Sequence, residues 1–219
     1  MNITLFFAIG VPLIIASYIV KSDKFPEPNH LIIKTFIMGV LLIIPAGFLN
    51  NIFIWSSATP DKLTFLAGFT EETLKFLTFY LFIKSRTDFD EPMDGVVYGV
   101  LISLGFATLE NIEYVFYSAA DPLFISILRA FTAIPLHAMC GVIMGFYFGR
   151  YAFTNNKSFL YLSLILPISI HAFYNFLTDI SIFILLLYLI LIFVFTKNLF
   201  LKLKQEQKNK PFEKENKLI

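Results

Sequence analysis

GFTEETLKF, residues 68–76, places Glu71, Glu72 and Lys75 inside the apolar run from Leu63 to Ile83. A run of that length crosses a bilayer. Acidic residues in such a place cost about 2.5–3.5 kcal/mol each near a helix centre by insertion scales, so they face a protein or water-filled interior and do work there. Glu71 and Lys75 stand at i and i+4, and Glu72 and Lys75 at i and i+3. The lysine therefore neutralises one carboxylate and leaves the other poised.

Working outward, the 219-residue chain is 57% hydrophobic, 17% aromatic and 15% charged. A soluble domain carries about 25% charged and 45–50% apolar residues. The fold class expected is all-α, a polytopic membrane helix bundle of about seven transmembrane helices embedded in lipid, without a separate soluble domain. Net charge is +1, which gives no reason to expect nucleic acid as a partner. The single cysteine, Cys140, excludes an internal disulfide framework. Only Met1 and Asn2 precede the first apolar segment, so a retained helix is expected there, not a signal peptide.

The expected spans are about 3–20, 31–54, 62–84, 93–117, 127–149, 159–178 and 180–197, separated by turn-like breaks. They make one transmembrane domain over 1–197, followed by a basic, solvated tail over 198–219. An interfacial helix around 118–128 would change the count by one. Lys21 and Lys24 lie in the first loop, Lys84 and Arg86 in the third, Arg150 and Lys157 flank the fifth, and the tail is rich in lysine. Loops two and four have only Lys62 and Arg129 at their edges, and loop six has none. This alternation predicts an outside N-terminus and a cytoplasmic C-terminus.

Four spans carry polar residues of a buried type: Glu71, Glu72 and Lys75; Glu110 and Asn111; His137; and His171 with Asn175. At about 1.5 Å per residue, Glu71 lies roughly 13 Å in from Lys62, Glu110 roughly 10 Å from Tyr117, His137 roughly 12 Å from Arg129 and His171 roughly 10 Å from Thr178. All four depths are measured from outer ends. Two carboxylates and two imidazoles thus converge on one level in the outer half of the bilayer. His137, Gly141, Gly145 and Gly149 recur at i+4 and form a small-residue stripe for close helix packing. Glu113 reads as an outer-interface residue, His30 as interfacial, and Glu91 with Asp94 as the cytoplasmic mouth of the fourth span.

A carboxylate beside an imidazole in a partly dry cavity holds and deprotonates water. Donors such as His171 or the Asn175 amide stabilise the oxyanion of a tetrahedral intermediate. That is equipment for peptide hydrolysis without a covalent enzyme. The same Glu and His residues suit Zn²⁺, so zinc is possible although no cofactor is favoured. No HExxH, GxSG or GxGD motif is present. The polar constellation also allows a proton- or cation-coupled transporter, although no inverted repeat is apparent. A substrate-binding membrane chaperone is a third reading.

EETLK (71–75), FATLEN (106–111), HAMCG (137–141) and HAFYN (171–175) resemble the four motifs of the PrsW intramembrane proteases, distant relatives of the CAAX prenyl endoproteases in the Abi group. The likeness extends to EPNH (27–30), MDGVVYG (93–99) and GVIMGFYFG (141–149). It implies a multi-pass bacterial plasma-membrane protease that makes the first, extracytoplasmic cut in a single-span anti-sigma factor. By position, it implies Glu71 and Glu72 as the catalytic pair, with Glu110, His137, His171 and Asn175 as the remaining catalytic groups and Lys75 and Asn111 in support. The CAAX relatives commonly end the second motif in histidine, where this chain has Glu110. The family is described both as metalloproteases and as glutamic proteases. The glutamic reading is preferred here, because an adjacent Glu–Glu pair chelates poorly while one glutamate serves as base.

Overall fold

The structure is a computed structural model and describes residues 3–209. Eight helical rods account for most of the described residues. They are α1 (Ile3–Ser22), α2 (Asn29–Trp55), α3 (Leu66–Thr78, continued by a π turn over Phe79–Ile83), α4 (Pro92–Tyr117), α5 (Pro122–Phe131), α6 (Ala133–Thr154), α7 (Lys157–Thr178) and α8 (Ile182–Asn209). Six stretches are long and apolar enough to cross a membrane: α1, α2, α4, α7, α8 and the run Pro122–Thr154 that contains α5 and α6. The third expected span, α3, is not among them, since Glu71, Glu72 and Lys75 interrupt its apolar character. Its side chains explain how a charged helix is housed. Glu71, Glu72, Lys75 and Phe76 are all buried against other helices.

Local signals set most helix ends. Pro92 opens α4, and Glu91 and Asp94 form a capping box around its first turn. Asp121 caps α5 by accepting from the Phe124 backbone N–H at 2.8 Å. Asn155 ends α6 in the left-handed region at φ 55°, and Asn156 caps α7 through the Ser158 N–H at 3.0 Å. The fifth expected span, 127–149, is corrected in one respect. The chain leaves helical geometry at Thr132 (φ −123°, ψ −72°), so Arg129 belongs to the short α5 and not to the helix of His137. Helix α5 overlaps the stretch around 118–128 where an interfacial helix would change the count.

The second difference lies at the end of the chain. Helix α8 continues past Lys197 to Asn209 without a break. Phe200, Leu203 and Gln207 recur on one face and are buried, and Arg150 pairs with Glu206 at 2.5 Å. The segment 198–209 is therefore docked on the bundle and is not a solvated extension. The remainder of the expected tail, 210–219, lies outside the described residues.

Helix α4 is the central rod and is buried along most of its length. It packs most extensively on α6, and glycines make the contact. A methyl group built on Gly99 would lie 2.5 Å from the Gly141 carbonyl oxygen, and one on Gly149 would lie 2.6 Å from the Pro92 carbonyl oxygen. Gly95 and Gly145 approach each other's backbones more closely still. The stripe expected on α6 thus meets a matching stripe on α4, the close approach that small residues permit in membranes. On the outside, large apolar side chains such as Phe48, Phe116, Phe183 and Leu191 are exposed, forming a belt suited to lipid.

Gly145→Val introduces a side chain where the Gly95 carbonyl lies and should destabilise the protein by about 1–3 kcal/mol or more. Gly47 has open space around its Cα, so Gly47→Ala should be nearly neutral. Thermal unfolding of the detergent-purified variants measures both, and equal effects would contradict the packing described.

Candidate active site

Helix α3 brings Glu71 and Glu72 into the bundle on different sides of one turn. Glu72 is fully buried and its Oε1 receives two donors: Lys75 Nζ at 2.6 Å and His171 Nδ1 at 2.9 Å. Lys75 is also fully buried, 4.3 Å above the Phe106 ring and 3.0 Å from His137 Nδ1. It lies 4.0 Å from Glu71 Oε2. The lysine is therefore the counter-ion of Glu72, which leaves Glu71 the less compensated carboxylate. This is the division expected from the i+3 and i+4 spacing, now with the partners assigned.

These contacts fix both histidine tautomers. An ammonium only donates, so His137 Nδ1 accepts from Lys75 and its Nε2–H donates to Glu110 Oε2 at 2.9 Å. His171 donates through Nδ1 to Glu72, so in the neutral imidazole the lone pair lies on Nε2. That nitrogen lies 3.9 Å from Glu71 Oε2. Glu71 Oε2 is buried without a hydrogen-bond partner. Glu71 Oε1 accepts from the Asn50 amide at 3.3 Å, and the Thr70 hydroxyl holds the other end of that amide. The two imidazoles stand edge to face with centroids 4.9 Å apart.

Glu110 accepts a second donor, Arg129 Nη2, at 2.6 Å. The Arg129 Nε donates to Asn111 Oδ1 at 2.6 Å, and its guanidinium lies 3.8 Å over the Tyr114 ring. Asn111 thus positions Arg129. The Asn175 amide donates to the Thr64 carbonyl at 3.2 Å and ties α7 to the segment before α3. Of the pair expected on α7, His171 is the one that faces Glu71.

A cavity of about 620 Å³ lies over this network. Glu71, Glu110, Arg129, His137 and His171 line its polar floor, while Glu72 and Lys75 sit behind it. Its rim is built from Trp55, Thr64, Tyr117, Ser118, Thr178 and Ile182, which all belong to one end of the bundle. The sequence reading named Glu71, Glu72, Lys75, Glu110, His137 and His171, which meet here. It missed Arg129 and Asn50. Arg129 reads as a loop edge because the helix break at Thr132 has no local sequence signal, and Asn50 lies near the end of an otherwise apolar span.

The fold and this site together define a class: a polytopic helical membrane protein whose ionisable groups gather on the floor of one cavity within the bundle. Comparison with known proteins narrows it. Residues 27–199 match the PrsW family of intramembrane metalloproteases. The chain is 38% identical over 174 residues to the protease PrsW of Geobacillus kaustophilus, covering 77% of this chain and 75% of that one. It is 37% identical over 175 residues to the protease PrsW of Bacillus subtilis, covering 77% and 78%. It is 30% identical over 194 residues to that of Clostridioides difficile, covering 83% and 82%. No solved structure matches the chain. The chain belongs to the PrsW family of intramembrane proteases. Among the readings that the residues allow, membership selects the protease over the transporter and the chaperone.

The family is one of metalloproteases, and three side chains at the cavity floor could hold a metal. Glu71, His137 and His171 each offer one ligand atom, all within 4.8 Å of one another. Two histidines and a carboxylate are a set that zinc accepts. The unpartnered Glu71 Oε2 and the His171 Nε2 lone pair fit directly, and Glu72 behind His171 supplies the carboxylate–histidine support common at zinc sites. His137 fits in kind, but both of its nitrogens are engaged, one by Lys75 and one by Glu110.

Lys75→Met removes the cation between Glu72 and His137. Breaking a buried pair leaves an uncompensated charge, so a loss of about 3–5 kcal/mol is expected. Thermal unfolding in detergent checks it, with the exposed Lys34→Met as the neutral control.

Proposed function

We propose that this protein is an intramembrane endopeptidase of the bacterial plasma membrane, acting on single-span membrane proteins of the anti-sigma-factor class by glutamate-activated water. The observation that carries the proposal is the 3.9 Å separation of Glu71 Oε2 from His171 Nε2 at the cavity floor. A small movement of the buried Glu71 carboxylate would admit a water that donates to both acceptors. Glu72 keeps His171 in the tautomer that presents this lone pair.

In this reading Glu71 takes a proton from the water as its oxygen attacks the scissile carbonyl. The oxyanion is met by donors on the cavity wall, the Asn50 amide and the N–H groups of Arg129 not bound to Glu110 or Asn111. Collapse of the intermediate breaks the C–N bond, and protonated Glu71 returns its proton to the departing amine. His171 therefore serves as an acceptor, in place of the donor role first expected of it. Glu110 orients His137 and holds Arg129. The substrate class rests on the motif resemblance, and the outer side of the cut rests on the basic-poor loops around the cavity rim.

Zinc is the second reading, favoured by the Glu71, His137 and His171 cluster. Those residues would hold it, and when bound it would supply Lewis-acid activation of water. Lys75 beside His137 is the reason for preferring the glutamate reading, since an ammonium within hydrogen-bond reach of a ligand nitrogen competes with a dication.

Purified protein incubated with a single-span substrate tests the chemistry. Glu71→Gln should lower cleavage by about 10²–10⁴-fold with the protein still folded. Near-normal cutting by this variant would sink the mechanism. A strong chelator should leave the wild-type rate unchanged. Loss of activity restored by stoichiometric Zn²⁺ would replace the glutamate reading with the zinc one and leave the protease in place.

Orientation is tested separately in a Cys140→Ser background. Cysteines at Ala58 and Ala119 should react with an impermeant thiol reagent in intact cells, and one at Asn156 should not. The reverse pattern would place the cavity on the cytoplasmic side.

A further inference from the structure

The other end of the bundle holds a second polar cluster, which the proposed chemistry does not use. Asp23 follows α1, Glu27 precedes α2, and Glu91 and Asp94 begin α4. All four carboxylates are buried, with Asp23 and Glu27 at 7% exposure, Glu91 at 4% and Asp94 at 1%. Along α4, Asp94 stands 16 residues before Glu110, which is about 24 Å of helix. The cluster is thus separate from the cavity.

Protein donors hold one side of each carboxylate. Asp23 Oδ1 accepts from the Phe25 N–H at 3.0 Å and from the Gln207 amide at 2.7 Å. The same amide donates to Glu91 Oε1. Asp94 Oδ2 accepts from the Asp90 and Glu91 N–H groups at 2.7 and 2.8 Å. Tyr98 donates to Glu27 Oε2. The outer oxygens of the two aspartates, Asp23 Oδ2 and Asp94 Oδ1, are buried with no hydrogen-bond partner.

Charge makes the arrangement expensive. Among the described residues, no lysine or arginine forms a salt bridge with any of the four. The nearby Lys24 is directed elsewhere, donating to the Gln207 carbonyl at 3.3 Å and lying 5.1 Å over the Phe25 ring. Buried carboxylates in such a group are stabilised by a cation or by added protons.

Asp23, Glu91 and Asp94 each offer one oxygen, and the three atoms lie within 4.8 Å of one another. We propose that Asp23, Glu91 and Asp94 form a binding site for a hard divalent cation, of the Mg²⁺ or Ca²⁺ type, that staples the α1–α2 linker to the start of α4. The ligand set is oxygen only, without the histidine or cysteine that zinc prefers. The two orphaned aspartate oxygens supply the unmet acceptors, and Glu91 closes the third side. Gln207 brings the end of α8 against the same carboxylates, so the ion stabilises the docked terminal helix as well.

The test uses full-length, chelator-treated protein in detergent, titrated with MgCl₂, CaCl₂ or MnCl₂ and followed by unfolding temperature and by the free Mn²⁺ spin signal. One saturable site per chain and a rise in unfolding temperature are expected, and comparing the Mg²⁺ and Ca²⁺ arms identifies the preferred ion. Asp94→Asn and Asp23→Asn should each weaken binding by about tenfold or more. Asp23 lies outside the helices, so its variant serves if Asp94→Asn fails to fold. The Glu71→Gln, His171→Ala double variant should bind as the wild type does, which keeps this result independent of the protease reading. Absence of saturable binding, binding unchanged in Asp23→Asn, or binding lost in the cavity double variant would each overturn the proposal.

Discussion

A lysine ammonium with no exposure at all, inside a membrane bundle, is the constraint around which this structure is arranged. Such a charge is tolerated only with excellent pairing. Lys75 is held most closely by Glu72, His137 and the face of Phe106, with Glu71 at 4.0 Å. Each partner then transmits the constraint. Glu72 also orients His171. His137, made an acceptor at Nδ1, must donate at Nε2, which fixes Glu110. Glu110 in turn holds Arg129 and with it the short helix α5. Helices α3 to α7 are thereby connected by one network, in which the state of each polar group follows from its neighbour.

Such a network needs helices near enough for side chains from four of them to meet. Glycines supply that proximity. The contacts of Gly95, Gly99, Gly141, Gly145 and Gly149 bring α4 and α6 together with almost no side-chain thickness between them. Gly68 does the same for α3, where an added methyl group would lie 2.8 Å from the Ala172 Cα on α7. His171 is the residue before that contact, so the close approach of α3 to α7 is what sets His171 against Glu72.

The rods and the level of the site were legible in the sequence because two strong rules act on them. Apolar length defines a span, and an ionisable residue within a span must find company at its own depth. Counting residues from the helix ends on one side of the bundle therefore brought Glu71, Glu110, His137 and His171 to one level. The depth of His137 survived even though its reference residue, Arg129, proved to lie on a separate helix, because α5 and α6 meet at one end of the bundle. Other features depend on tertiary contacts with no local signal. Glu71 and Glu72 are chemically identical neighbours, and only the positions of Lys75, His171 and Asn50 distinguish the cavity carboxylate from the buried one. The docked end of α8 was legible in principle: Phe200, Leu203 and Gln207 follow helical spacing, but abundant lysines masked that face.

The position of the cavity also bears on how a helical substrate is cut. Inside a lipid-spanning helix each backbone carbonyl is engaged by the N–H four residues on, and the surrounding apolar medium makes opening that bond costly. At a helix end several carbonyls or N–H groups have no intrahelical partner. The cavity rim, formed by Trp55, Thr64, Tyr117 and Thr178, lies at the ends of the protein's own helices, so under the proposed function it would meet a parallel-lying substrate near its end as well. The polar floor lies only a few turns below. Under the proposed function, the residues near the substrate's terminal turn reach Glu71 with the least unwinding, and donors such as Asn50 and Arg129 replace the helical hydrogen bonds that are lost. The site's depth, set by the pairing of buried charges, then selects for cleavage near the end of the substrate's span over its centre.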